Sequence, residues 1–176
     1  MNKEETILDQ IWDELEASLE VGGHPFHIFS ISTIFNNKPD SRNVVLRNVN
    51  RNNKSVTFHT DTRSNKISQI KNDNNVCALF YDSAKKIQIR AYGSISIETD
   101  ELLIKDRWKQ SKKMSKLCYL HKSAPGKKID NAKDYLYDED DLQDIEVGIK
   151  NFSVINIKFN KICLLYTSPS PRDVEE

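Results

Sequence analysis

The stretch from Lys85 to Glu98 limits the possible folds of this chain more than any other. Ile87, Ile89, Ala91, Gly93, Ile95 and Ile97 alternate with Gln88, Arg90, Tyr92, Ser94, Ser96 and Glu98. A strict period of two places one set on each face of a β-strand and gives no helix a continuous apolar stripe. So long a strand with one apolar face must close that face against other strands or a helix.

The rest of the sequence supplies those partners. Phe29 and Ile31 alternate with Ser30 and Ser32, and Asn36-Asn37-Lys38-Pro39-Asp40 reads as a turn. Asn43–Val49 is a second strand whose centre, Val44-Val45-Leu46, is apolar without alternation, as expected where both faces are covered. Ser55–Thr60, Val76–Tyr81 and Phe152–Phe159 add three more strands. Ile7, Ile11, Trp12, Leu15 and Leu19 recur at helical spacing before Gly22-Gly23. Ile67 and Ile70 mark a short helix, and Asp100 caps one running through Trp108 toward Cys118. Six strands with short links and few helices predict a mainly β chain: a small antiparallel barrel with flanking α-helices, not a doubly wound sheet. The acidic stretch Asp138–Asp141 is the expected mobile loop. Thr167-Ser168-Pro169-Ser170-Pro171-Arg172-Asp173 continues no periodic pattern. Residues 1–163 are therefore expected to form the domain, and 164–176 a foreign or disordered tail.

Composition matters mainly for what it excludes. The formal net charge is zero, so the whole molecule offers no electrostatic case for nucleic acid or a membrane surface. The basic run Lys105–Lys128 lacks the interleaved aromatics of a single-strand-binding barrel. Cys77, Cys118 and Cys163 are far apart and form no CxxC pair, which argues against a disulfide framework or zinc site and for reduced thiols in cytoplasm. No GxGxxG, GxxxxGK[ST], GxSxG or HExxH is present, and the four histidines lack metal-ligand spacing.

Basic and polar groups at strand ends remain. Arg42 and Arg47 flank the second strand and, five apart, fall on opposite faces. The third strand runs through Phe58-His59-Thr60 into Asp61-Thr62-Arg63-Ser64-Asn65-Lys66, where a helix begins. Free N–H groups at a helix start attract anions, Ser64 adds a hydroxyl, and Arg63 and Lys66 add charge. The residues alone leave two readings open: a phosphate site, or a helix capped by Asp61 or Thr62 beside solvated cations.

These segments resemble a known family in order and spacing. Arg42-Asn43-Val44-Val45-Leu46-Arg47 is similar to the Arg-x-Val-Leu-Leu-Lys strand of pyridoxamine 5'-phosphate oxidases. Phe58–Lys66 is similar to their Phe-Tyr-Thr-Asn-x-x-Ser-Arg-Lys segment. Ala78-Leu79-Phe80-Tyr81 with Gln88-Ile89-Arg90-Ala91-Tyr92-Gly93 is similar to their Phe-Tyr…Gln-Val-Arg-x-x-Gly hairpin. The resemblance implies a six-stranded split β-barrel that binds flavin mononucleotide (FMN) between the subunits of a homodimer. It places Arg42, Ser64 and Lys66 on the FMN phosphate, with Arg63 replacing a charge absent at Asn65. The backbone of Val44, Val45, Leu46 and Arg47 lines the flavin together with Thr60 and His59, and Gln88 bonds near its ring edge. Trp108, Lys112 and Ser115 lie near the substrate-phosphate positions. The implied activity is an oxidoreductase passing a hydride from a small substrate to FMN; a flavin- or haem-binding barrel without turnover is the alternative. His59 departs from the family's Tyr, and the C-terminal Arg-x-His motif of true oxidases is missing.

Overall fold

A computed structural model describes residues 3–131 and 144–166. Helix α1 (Lys3–Glu20) leads through a short 3-10 turn (Pro25–His27) into strands β1 (Ile28–Phe35), β2 (Lys38–Asn50) and β3 (Ser55–Asp61). Helix α2 (Asn65–Asn72), strands β4 (Asn75–Asp82) and β5 (Ile87–Ile97), and helices α3 (Glu101–Gln110) and α4 (Lys113–Leu117) follow. A 3-10 segment (Ile145–Asn151) leads into β6 (Phe152–Tyr166). The six strands close into an antiparallel barrel in the order β1-β2-β3-β6-β5-β4, with helices outside it, as the sequence predicts. Among the described residues no helix is long and apolar enough to cross a membrane.

The alternation in β5 sets the interior. Ile89, Ala91 and Ile95 are buried and pack with Phe29, Phe58 and Phe80, while Arg90, Ser94 and Ser96 are exposed. Phe29 stacks on Phe80 with ring centroids 4.6 Å apart. Trp12 and Leu15 of α1 join this core. A second, smaller core lies outside the β3–β6 edge, where α3 lays Trp108 against Phe152 and Val154.

Four local expectations change. The turn over Asn36–Asp40 shrinks to Asn36-Asn37, both at positive φ, and β2 already begins at Lys38. That is the two-residue hairpin link that suits the twist of antiparallel strands. Val44 and Leu46 point inward, but Val45 is only half-buried, so β2 alternates like its neighbours. The helix predicted through Trp108 toward Cys118 stops at Gln110. There the Ser111 hydroxyl and amide bond back to the carbonyls of Arg107 and Trp108.

The fourth change concerns β6, which runs seven residues past Phe159 to Tyr166 and pairs with β5 from Ile155 to that end. Gly93 pairs with Phe159 but Tyr92 pairs with Lys161, so Asn160 is an extra residue. Before it, odd-numbered Ile155, Ile157 and Phe159 face the core; after it, even-numbered Ile162 and Leu164 do. A β-bulge shifts the parity of a strand in this way. Leu164, Leu165 and Tyr166, set apart with the tail on sequence grounds, belong to the barrel. The acidic stretch Asp138–Asp141 and residues 167–176 lie outside the described residues.

Gly93 sits at that bulge because nothing larger fits. A Cβ there would lie 1.9 Å from the Lys158 carbonyl oxygen.

Candidate functional site

At one barrel end, β1, β2, β3 and the start of α2 gather a polar cluster inside an otherwise apolar wall. Arg42, facing inward at the open end of β2, donates Nη1 to Thr33 Oγ1 (2.5 Å) and Nη2 to Gln69 Oε1 (2.6 Å) and Asp40 Oδ2 (2.7 Å). Gln69 returns an amide hydrogen to Asp40 Oδ2 (2.7 Å) and accepts from the Thr33 hydroxyl (2.6 Å). Thr33 and Gln69 are buried, so this network fixes the guanidinium in place. The Gln69 amide, with Arg42 beside it, holds the Asp40 carboxyl below its usual range.

Lys66 lies next to this network. Its Nζ donates to Ser64 Oγ (2.7 Å) and Thr60 Oγ1 (3.0 Å), both on buried residues. Ser64 caps α2 in position, but its hydroxyl makes no bond to the helix backbone. Burial pushes the Lys66 ammonium below its ordinary pKa, and neighbouring Arg42 adds to that; Asp61 and Asp40 oppose it. Among the described residues no carboxylate forms an ion pair with Lys66, whereas Arg42 has Asp40 and Arg63 has Asp61. The cluster therefore carries one uncompensated, half-buried cation beside two hydroxyls and a helix start. Such an arrangement favours an anion with several acceptor oxygens.

Arg63 has another role than the one sequence position suggests. Its Nε and Nη2 grip the Asp61 carboxylate at 2.9 and 2.6 Å, and Nη1 donates to the His121 carbonyl at 2.9 Å. It ties the segment after α4 to the β3–α2 corner. Asp61 also accepts from the Arg63 amide, so it shapes the turn before α2 and leaves the cap position to Ser64.

Arg47 and His59 occupy the outer face, as the separation of Arg42 and Arg47 requires. The His59 ring meets Phe152 edge-on at 4.7 Å, and its buried Nε2 has no hydrogen-bond partner among the described residues. Burial, then the charges of Arg47 and Arg107, lower its pKa to about 4, so the imidazole is neutral at pH 7.

The structure thus brings Arg42, Thr60, Ser64 and Lys66 together, and sets Val45, Arg47 and His59 on the adjoining outer face. Val44 and Leu46 are core residues whose side chains face away from that surface. Gln88 is not part of the group. It lies on β5, opposite β2 in the ring, between Tyr81 and Leu165. Trp108, a substrate candidate by position, is a packing residue here: it is buried, donates to Glu146 Oε2 (2.6 Å) and carries Lys116 over its ring. Lys112 is exposed at the cap of α4, and Ser115 lies half-buried within it. Sequence reasoning missed Thr33, Asp40 and Gln69. Their one signal was that Lys66 and Gln69, three apart, share a helix face.

This fold and cluster define a closed antiparallel barrel with cations and hydroxyls gathered at the β2–β3–α2 corner. Comparison with known proteins gives that class a family. The model of the pyridoxamine 5'-phosphate oxidase FMN-binding domain matches residues 9–99, more than half of the chain, and the chain belongs to that family. Solved structures share the fold at low identity. A pyridoxamine 5'-phosphate oxidase-related, FMN-binding protein from Nostoc punctiforme superposes with a TM-score of 0.69 at 16% identity, over 94% of this chain and 86% of that one. PhzG from Burkholderia lata, in complex with tetrahydrophenazine-1-carboxylic acid, gives 0.64 at 14%, over 93% and 80%. HupZ from Group A Streptococcus gives 0.54 at 12%, over 91% and 94%. No curated protein matches the sequence.

Proposed function

We propose that this chain is a flavoprotein that holds FMN by its phosphate at the Arg42–Lys66 corner, acts as a homodimer, and serves as an oxidoreductase on a small substrate. Lys66 is the observation that carries the cofactor assignment. A half-buried ammonium facing hydroxyls, with no ion-pair partner among the described residues, destabilises the protein unless an anion joins it. A phosphate monoester fits that donor set: Lys66 and Arg42 supply charge, and Ser64 and Thr60 supply hydroxyls. Arg63 supports the corner through Asp61 without joining the donor set.

FMN, when bound, would supply two-electron redox chemistry. The protein's part is positioning and electrostatics. Arg47, exposed on the outer face beside Val45, would present a permanent positive charge to the bound flavin, and such charge stabilises negative charge developing on it. His59, neutral next to two arginines, offers an uncharged imidazole on the same face.

A row of outward side chains supports the dimer. Val45 pairs with Ile28 on β1, Tyr81 pairs with Gln88, and Gln88 pairs with Leu165. Ile28, Tyr81 and Leu165 are each about half exposed, at 56%, 47% and 50%. An apolar band of this kind on a barrel is better covered than hydrated. Because Gln88 lies within the band, a second copy seated there is how it would reach the flavin of its partner.

The visible absorption spectrum of the purified chain tests the proposal: a flavin band that dithionite bleaches is expected. Protein that stays colourless after soaking in excess FMN would overturn it. Oxygen uptake with an amine or a reduced pyridine nucleotide then separates a redox enzyme from a carrier.

A further inference from the structure

Away from that corner, α1 does not close the barrel flank it lies on. Ile11, Trp12 and Leu15 are buried against the barrel, but one turn earlier Ile7 and Leu8 are only partly covered. Beneath them lie two adjoining clefts of about 350 and 270 Å³, which share Ile7, Ile11 and Leu164 as walls. Phe159 and Ile162 extend the first, and Phe26 and Ile89 the second. Protein interiors rarely leave apolar space of this size unfilled.

The larger cleft is positive at its rim: Lys54 and Lys161 open onto it beside Asn160, and among the described residues no acidic side chain lines it, whereas the smaller cleft is edged by the Glu14–Lys85 ion pair. Among the described residues neither lysine has a carboxylate partner, and Lys161 only rests over the Tyr92 ring at 5.8 Å. Lys54 stands at positive φ in the tight β2–β3 turn, where its carbonyl accepts from the Phe159 amide, so its backbone is fixed beside the cleft wall.

We propose that the cleft between α1 and the β5–β6 edge is a second ligand site, which takes an unbranched apolar chain with a carboxylate head. The tail lies along Ile7, Ile11 and Leu164, and the head meets Lys54 and Lys161. The site depends on neither the flavin nor the dimer proposed above.

Titration calorimetry of the purified full-length chain with a series of straight-chain carboxylates tests it. Saturable binding of decanoate is expected, weakening about fourfold per methylene removed, so that octanoate binds about 15-fold more weakly. Lys54→Glu with Lys161→Glu, two substitutions on the rim, should weaken decanoate at least about tenfold and bring it level with decanol. Ile7→Phe should block both ligands, with the flavin spectrum unchanged in every variant. Decanoate that fails to saturate below its micelle concentration overturns the proposal, as does affinity independent of chain length or of the two lysines. If Ile7→Phe instead shifts the sedimenting mass and decanoate never binds, the cleft joins copies of the chain and holds no small ligand.

Discussion

Substituting Lys66 and substituting Arg42 should weaken flavin binding alike, yet affect the cofactor-free protein differently. Each removes one charge-assisted contact to the phosphate, worth about 1.5–3 kcal/mol, or roughly 10- to 150-fold in affinity. In the cofactor-free protein Lys66 donates only to two hydroxyls, which can turn to other acceptors, and its burial opposes its charge. Lys66→Met should therefore change stability by less than about 1 kcal/mol. Arg42 donates to buried Thr33 and Gln69 and to half-exposed Asp40. Thr33 and Gln69 keep each other as partners after Arg42→Ala, so the loss is that of charge-assisted bonds and not of stranded atoms. That amounts to about 2–4 kcal/mol for the set, which at the size of this chain lowers Tm by roughly 4–16 °C. FMN titration by fluorescence quenching gives the affinities, and thermal melts with and without FMN give the stabilities. The reasoning fails if Lys66→Met destabilises the cofactor-free protein as much as Arg42→Ala does, or if either variant keeps FMN within about threefold of the parent.

Other outcomes follow from single residues. His59 binds its proton more weakly in the folded chain (pKa about 4) than in the unfolded chain (about 6.5), so the unfolded state takes up that proton first and stability falls as pH drops. Between pH 7 and pH 5 the loss from this group is about 2 kcal/mol, and urea melts of His59→Phe should show a correspondingly flatter pH dependence. Gly93→Ala drives a Cβ into the Lys158 carbonyl, so we expect a loss of about 3 kcal/mol or more, or no soluble protein. Leu165→Asp, in the exposed row beside Gln88, should give a monomer by sedimentation and release FMN, while circular dichroism stays unchanged. A dimer that survives this change would place the interface elsewhere.

The sequence by itself determined the inside and outside of the barrel. Side-chain direction along a strand follows from backbone geometry with a period of two, so Ile89, Ala91 and Ile95 could be assigned inward without knowing what they meet. It also placed Arg42, Thr60, Ser64 and Lys66 at strand and helix ends, where chain direction alone exposes polar groups. The tertiary structure decided what periodicity cannot carry across a break. One extra residue, Asn160, reverses parity in β6, so Ile162 and Leu164 read as outward by local pattern yet line the core. It also decided which charges pair. Arg63 and Lys66 look equivalent in sequence, but Asp61 lies within 2.6 Å of one and not of the other. Electrostatic energy falls with distance through space and takes no account of separation along the chain, so only the folded corner could leave Lys66 without a carboxylate partner among the described residues.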